Sequence, residues 1–222
     1  MNTLSYPERL ASTPQPARRR PDGARSTPLP AGYSHLHHRA LIGHGRDALQ
    51  TAGAAVTGWQ MHRAAGVRIR TTADRAAPGA PVDCAIGLGP LRVGAPCEVV
   101  WTVCEPDRIG FAYGTRTGHI ACGEETFLVE MGADRAVWFS VAAFSRPDRW
   151  FTRAAGPLLP LAQRFFARRC GRALTRIVAA RQPAPAPTRQ PGARTAAPRP
   201  GPAEPAPARR LSHSSTYRNS GP

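Results

Sequence analysis

The sequence predicts one α+β domain, in which an antiparallel sheet is followed by a long C-terminal helix. Three observations favour this fold class. Between residues 67 and 145 the apolar residues recur with a period of two, which is typical of strands. The connections between these segments are short and contain Gly, Pro or Asp, which suits antiparallel hairpins. From Pro157 to Ala180 the period becomes helical, with apolar residues on one face and arginines on the other.

The individual elements follow from the same patterns. Tyr33–Ala40 is predicted as the first strand, and Arg46–Ala65 as helix, either continuous or broken at Thr57-Gly58, with Gly66 as its stop. The later strands are predicted at Val67–Arg70, Val82–Leu88, Val99–Val103, Ile109–Thr115, Phe127–Met131 and Val137–Ser145. Two faces are predicted as well: one shared by Val99, Trp101 and Val103, and one of small residues formed by Gly110, Ala112 and Gly114. The small-residue face leaves room either for a ligand or for close packing against the last helix.

Proline content indicates the domain boundaries. The chain of 222 residues has room for one domain and its tails, and six of its 24 prolines lie in residues 1–30 and ten in residues 182–222. Both ends contain too few apolar residues to offset the entropy of ordering. We therefore expect a disordered linker or insertion at residues 11–29, the domain at residues 30–181, and a disordered Pro/Ala/Arg-rich tail at residues 182–222.

The charge is strongly basic and unevenly placed. The net charge is +16, the chain has no lysine, and residues 150–181 contain seven arginines and no acid. Arg164, Arg168, Arg172 and Arg176 recur at helical spacing, so they share one face of the last helix. Two interpretations are open: a solvated helix face, or a surface that binds nucleic acid or an anionic membrane weakly and without specificity.

Several protein classes are disfavoured by what the sequence lacks. The five cysteines show no paired spacing, so we expect reduced thiols in a cytoplasmic protein. No apolar run is long enough for a transmembrane segment, and no secretory signal begins the chain. G-x-S-x-G is absent, and a phosphate-binding G-x-x-x-x-G-K-[ST] loop needs a lysine. His35, His37 and His38 have no matching ligand spacing, so we expect a solvated strand edge, with no metal and no cofactor.

The order of strand, helix pair, antiparallel strands and long helix resembles the helix-grip fold of the START and Bet v 1-like superfamily. That resemblance implies a curved antiparallel sheet wrapped around the long C-terminal helix, with an apolar cavity between them. Short segments also resemble uncharacterised protein family 0548, which implies no known activity. The similarity covers residues 29–180 and an N-terminal piece in which Tyr6-Pro7-Glu8 is implied to dock on the domain. The segments are Leu4–Glu8, Leu29–Tyr33, Gly43–Arg46, Trp59–Gly66, Gly110–Thr115, Gly118-His119, Gly123–Glu125 and Phe144–Pro147.

Three functions are compatible with these patterns. The first is a cavity for a small apolar or amphipathic ligand, with candidate contacts at Trp59, His62, Trp101, Phe111, Tyr113 and Phe127. Trp59 and His62 lie one helical turn apart, either at the entrance of this cavity or in the core. The second is a cyclase- or hydrolase-like enzyme that uses His119 with Glu124 or Glu125, although these residues also fit an ordinary charged turn. The third is a polyanion-binding accessory protein.

Overall fold

The computed structural model describes residues 4–6, 18–19, 25–26, 31–88, 91–147 and 158–181. All of them belong to one compact unit, Met1–Ala184. The tail expected at residues 182–222 and most of the linker expected at residues 11–29 lie outside the described residues, so both stay predictions. Within residues 11–29 two short strands pair in antiparallel fashion, β1 (Arg18–Arg19) and β2 (Arg25–Ser26).

Seven further strands form one antiparallel sheet in the order β3-β9-β8-β7-β6-β5-β4. Strands β5 to β9 follow one another as hairpins, and β3 lies beside the last strand of the chain. Only short connections join the hairpin strands, as the sequence predicts. The strands are β3 (Ser34–His44), β4 (Arg68–Arg70), β5 (Pro81–Leu88), β6 (Leu91–Glu105), β7 (Arg108–Thr115), β8 (Ala121–Met131) and β9 (Ala136–Pro147).

Three helices of the described residues accompany the sheet: α1 (Gly45–Thr57), α2 (Gln60–Ala64) and α3 (Leu158–Arg181). The break between α1 and α2 is confirmed, because Trp59 takes a left-handed backbone conformation with φ of 66°. Gly66 has φ of 89° and donates its N–H to the carbonyl of Arg63, so its predicted role as a helix stop is confirmed too.

The helices cover one side of the sheet, which confirms the predicted α+β fold with the sheet around the last helix. Helix α1 packs on β7 and β8, and α3 packs on β3, α1 and α2. Gly53 makes the approach of α1 possible, because a Cβ there would lie 2.7 Å from Ile109. The largest fully buried side chains of this core are Trp59, Phe111, Phe127 and Phe139, whereas the buried Phe144 packs with Tyr6 and Cys122 in a separate cluster.

The face predicted for Trp101 is wrong. A β-bulge shifts the register between Val99 and Trp101, so the residues after it point to the opposite side of the sheet. Val99 joins the main core, whereas Trp101 and Val103 form a small cluster with Ala112 on the other side. Trp101 therefore lies on the side of the sheet opposite the cavity, whereas the sequence predicts it on the cavity side.

The small-residue face of β7 packs differently from both alternatives considered for it, a ligand and the last helix. At Gly114 a Cβ would lie 2.9 Å from Leu4 and even closer to the hydroxyl of Tyr6. Ser5 continues this contact by donating its N–H to the carbonyl of Thr115 at 2.8 Å. Leu4–Tyr6 thus lies on the sheet beside β7, while Pro7 and Glu8 fall outside the described residues.

Candidate functional site

A cavity of about 270 Å³ lies between the sheet and the first turns of α3. Its walls come from β5 to β9, from the β7–β8 turn and from the helix residues Ala162, Gln163 and Phe166. The amide of Gln163 donates to the hydroxyl of Ser145 at 3.0 Å, which ties the helix to β9 at the cavity wall. Most of the wall is apolar, and Val93, 49% exposed, and the exposed Ala162 lie at its opening.

Tyr113 and Glu125 form the polar centre of this cavity. They are directly opposite each other on β7 and β8, and the phenol donates to the carboxylate Oε2 at 3.1 Å. Burial raises the pKa of Glu125 to about 7, although the hydrogen bond from Tyr113 acts in the opposite direction. Burial, and then the charge of Glu125, raises the pKa of Tyr113. The pair can hold or release one proton near neutral pH.

Two thiols lie in the same wall. Cys84 and Cys97 face the cavity from the neighbouring strands β5 and β6. A hydrogen bond with Cys84, together with burial, raises the pKa of the Cys97 thiol. Burial likewise raises the pKa of Cys170, on the α3 side. The thiols of Cys97 and Cys170 are therefore protonated at neutral pH. Cys84 and Cys97 contribute polarisable, weakly polar surface to the wall.

His119 lies on the turn between β7 and β8 and also lines the cavity. The amide of Ala121 donates to its Nδ1 at 2.9 Å, which fixes the orientation of the ring. Nδ1 also lies 2.8 Å from the carbonyl oxygen of Ala121, so the backbone of Ala121 holds the ring whichever ring nitrogen carries the proton. The structure therefore brings His119 to the same cavity as Glu124 and Glu125.

Glu124 and Glu125 have different partners. Glu124 accepts a hydrogen bond from the hydroxyl of Tyr6 at 2.8 Å, although atoms of Glu124 also belong to the cavity wall. Burial, and then the charge of Glu124, raises the pKa of Tyr6. Glu124 is thereby engaged by the N-terminal segment, and Glu125 is the carboxyl that the cavity can offer to a ligand.

Most of the aromatic residues proposed as ligand contacts lie in the core. Of the six, only Tyr113 is part of the cavity wall, and Trp59, Phe111 and Phe127 are fully buried. His62 is buried among their rings, with the Phe127 centroid 4.7 Å away, and within the described residues neither ring nitrogen has a hydrogen-bond partner. Burial, and then the charge of Arg63, lowers the pKa of His62 to about 3. The alternative of a cavity entrance at Trp59 and His62 is therefore wrong.

The sequence interpretation missed the residues that complete the cavity. Cys84, Ala95 and Cys97 approach it from β5 and β6, and Ala143 from β9. Their period-two spacing predicted burial but gave no information on which of them meet across strands. On α3 the four predicted arginines Arg164, Arg168, Arg172 and Arg176 are all exposed, on the side away from the cavity.

Within the described residues, no three His, Cys, Asp or Glu side chains come together in a way that could hold a metal ion. Among the described helices, none combines the length and the apolar character that crossing a membrane requires.

An antiparallel sheet around a C-terminal helix, with a cavity between them, defines the helix-grip fold. The chain belongs to the family of the domain of unknown function DUF1990, whose sequence profile matches residues 18–173. It is 37% identical over 171 residues to a UPF0548 protein of Deinococcus radiodurans, covering 71% of this chain and 80% of the relative. The predicted resemblance to family 0548 is thereby confirmed.

One more distant relative agrees with this family assignment, and one solved structure shares the fold. The UPF0548 protein At2g17695 of Arabidopsis thaliana is 26% identical over 160 residues, which cover 66% of this chain and 74% of the relative. Among solved structures, a hypothetical protein of Helicobacter pylori, jhp0584, aligns with a TM-score of 0.51 at 9% identity, covering 79% of this chain and 96% of the other. At this identity the likeness supports the fold alone.

Proposed function

We propose that the protein binds one small molecule in the cavity beside Tyr113 and Glu125, with an apolar body and a neutral or basic polar group. The observation that carries this proposal is the placement of one hydrogen-bonded carboxyl in an otherwise mostly apolar wall. Ligand sites in proteins typically combine an apolar surface with a few polar groups that orient the ligand. The volume of about 270 Å³ favours a compact molecule over a long-chain lipid.

The charge of the wall supports the choice of polar group. The carboxyl of Glu125 belongs to it, whereas none of the described wall residues is an arginine, and the chain has no lysine. A carboxylate or phosphate ligand would enter without a compensating positive charge, which costs several kcal/mol in an apolar surrounding. An alcohol or amine can instead donate a hydrogen bond to Glu125.

A matched series of octanol, octylamine and octanoate tests this proposal by calorimetry at pH 7.5. We expect octanol and octylamine to bind, and octanoate to bind at least about tenfold more weakly. Glu125→Gln should reduce the difference between octylamine and octanoate, whereas Asp107→Asn, at an exposed turn, should leave it unchanged. Tighter binding of octanoate than of octanol would contradict the predicted charge preference.

A filled cavity separates specific binding from adsorption. Ala143 lies opposite Glu125 on β9 and is part of the wall, so Ala143→Phe should abolish binding. Ala142 is the adjacent residue, points to the other side of the sheet and is not part of the wall, so Ala142→Phe serves as the matched control. Circular dichroism establishes that both variants fold. Equal affinities of the two variants would refute binding in this cavity.

Catalysis on the same scaffold is the second candidate, and the pKa of Glu125 favours it. A carboxyl with a pKa of about 7 is well suited to donate and accept a proton at neutral pH. The test is a hydrolysis and cyclisation substrate screen that compares the wild type with Glu125→Gln and His119→Ala. A reaction that both variants retain in full would exclude these side chains as its acid and base.

A further inference from the structure

Helix α3 exposes two large apolar side chains at its N-terminal end. Leu161 is 56% exposed and Phe165 is 58% exposed. They are four residues apart, so they lie one above the other on the same side of the helix. Burial of such side chains is favourable, and an exposed apolar pair therefore marks a possible contact surface.

Arginines surround this pair. Arg164, Arg168 and Arg172 are exposed on the same side of α3, and Arg176 continues it toward the C-terminal end. Within the described residues none of the four forms an ion pair with a carboxylate, and α3 contains no acidic residue. The charge of Arg168 reaches the neighbouring β3, where it adds to burial in lowering the pKa of His38. We refer to Leu161, Phe165, Arg164, Arg168 and Arg172 as the α3 face.

The N-terminal end of α3 carries both the exposed pair and part of the cavity wall. Ala162 and Phe166 follow Leu161 and Phe165 in the chain and line the cavity. Because successive residues lie about 100° apart around a helix, the exposed pair and the cavity wall occupy different sides of α3. The α3 face is therefore a surface separate from the ligand cavity.

We infer that the α3 face docks on the surface of an anionic phospholipid bilayer. Leu161 and Phe165 enter the boundary between headgroups and acyl chains, and the arginines contact the lipid phosphates. Each arginine near such a surface strengthens binding roughly fivefold. A bilayer fits better than a nucleic acid. The aliphatic side chain of Leu161 cannot stack on a base, whereas the boundary between headgroups and acyl chains buries both apolar side chains.

Flotation of the full chain with phosphatidylcholine vesicles, with and without phosphatidylglycerol, tests this inference. We expect binding only to the anionic vesicles. The double variant Leu161→Ser/Phe165→Ser should bind at least about tenfold more weakly, because each lost apolar contact weakens partitioning. Leu41→Ser is the matched control, since Leu41 is 45% exposed on β3, away from the α3 face. Both sites are exposed, so the variants should fold.

The double variant also distinguishes the α3 face from the Arg-rich tail. The tail is present in every variant, so a general attraction between arginines and anions would be insensitive to the two serine substitutions. Equal flotation of the double variant and Leu41→Ser would overturn the inference. An absence of wild-type flotation with anionic vesicles would also overturn it. A wild-type affinity, per phosphate, that is higher for duplex DNA than for the vesicles would do the same.

The arginines provide a second, independent comparison. Arg164→Gln/Arg168→Gln/Arg172→Gln should reduce anionic-vesicle binding by roughly a hundredfold, and added salt should reduce wild-type binding in the same direction. Binding of this triple variant at wild-type strength would also overturn the inference, because it would leave the lipid phosphates without a role.

Discussion

Tyr113 and Glu125 face each other across β7 and β8, and the phenol donates to the carboxylate at 3.1 Å inside the cavity. The hydrogen bond favours the charged carboxylate, but the loss of solvation has the larger effect and raises the pKa of Glu125 from 4.5 to about 7. Between pH 4.5 and about pH 7 the folded protein therefore binds more protons than the unfolded chain, and the pair makes stability depend on pH.

The sign of that dependence gives the first prediction. Because the carboxyl pKa is raised in the folded protein, the contribution of Glu125 to stability is fully present below pH 4.5. It is lost as the pH rises through 7. The total change is at most about 3 kcal/mol. In Glu125→Gln this loss should be absent, so urea unfolding between pH 4.5 and 8 should show a flatter profile than the wild type. Asp107→Asn, at an exposed position, should keep the wild-type profile, and an unchanged profile in Glu125→Gln would contradict the assignment.

Cysteine reactivity provides the second prediction. Cys104 is exposed, whereas the other four cysteines are buried, and burial raises the pKa of Cys170 and contributes to the raised pKa of Cys97. Because the thiolate is the reactive form, iodoacetamide at pH 7.5 should modify Cys104 alone in the folded protein. Peptide mass spectrometry should find all five cysteines modified after denaturation and none in folded Cys104→Ser. Modification of Cys97 at the rate of Cys104 would show that the cavity wall opens readily.

Sequence patterns were sufficient for the type and order of the main elements, whereas β6 and β8 begin earlier than predicted, at Leu91 and Ala121. Period-two segments gave the strands, helical spacing gave α3, and the Thr57-Gly58 break and the Gly66 stop were recovered from local chemistry. These features depend on residues close together in the chain. The expectation of a sheet around the last helix came from the resemblance of this order of elements to the helix-grip fold. In a meander, the order of the strands along the chain also determines which strands are neighbours.

The composition of the cavity was only partly predictable. Tyr113 and Glu125 were both candidates, but their pairing depends on the length of the β7–β8 connection, and a shift of one residue would turn Glu125 to the other side. The bulge before Trp101 is such a shift, and nothing in the alternation of Val99, Trp101 and Val103 announces it. Local periodicity specifies which residues are buried, whereas cross-strand register specifies which of them meet.

The contact between Gly114 and Tyr6 gives the third prediction. A Cβ at Gly114 would clash with the Tyr6 hydroxyl, so Gly114→Ala should displace Leu4–Tyr6 and break the 2.8 Å bond from Tyr6 to Glu124. We expect the free energy of unfolding to fall by about 1–3 kcal/mol. Hydrogen exchange at the Ser5 amide, which donates to Thr115, should become faster.

Two comparisons check the origin of this effect. Gly94→Ala has open space around its Cβ and should leave stability within about 0.5 kcal/mol of the wild type. In a Tyr6→Ala background, Gly114→Ala should cost much less than in the wild type, because the hydroxyl that it meets is absent. If the two substitutions are strictly additive, the loss arises from the sheet itself and not from the N-terminal segment.

The fourth prediction concerns His62, which is buried among aromatic rings with neither nitrogen hydrogen-bonded within the described residues. Burial lowers its pKa from 6.5 to about 3, so the unfolded chain gains a proton that the folded protein excludes. Stability is therefore retained above pH 6.5 and lost as the pH falls toward 3. His62→Leu should raise the free energy of unfolding by about 1 kcal/mol at pH 8, since it removes two unpaired polar atoms, and by more at pH 5. Urea unfolding at both pH values measures this difference. A variant that is less stable than the wild type at pH 5 would mean that the His62 ring has a polar partner in solution.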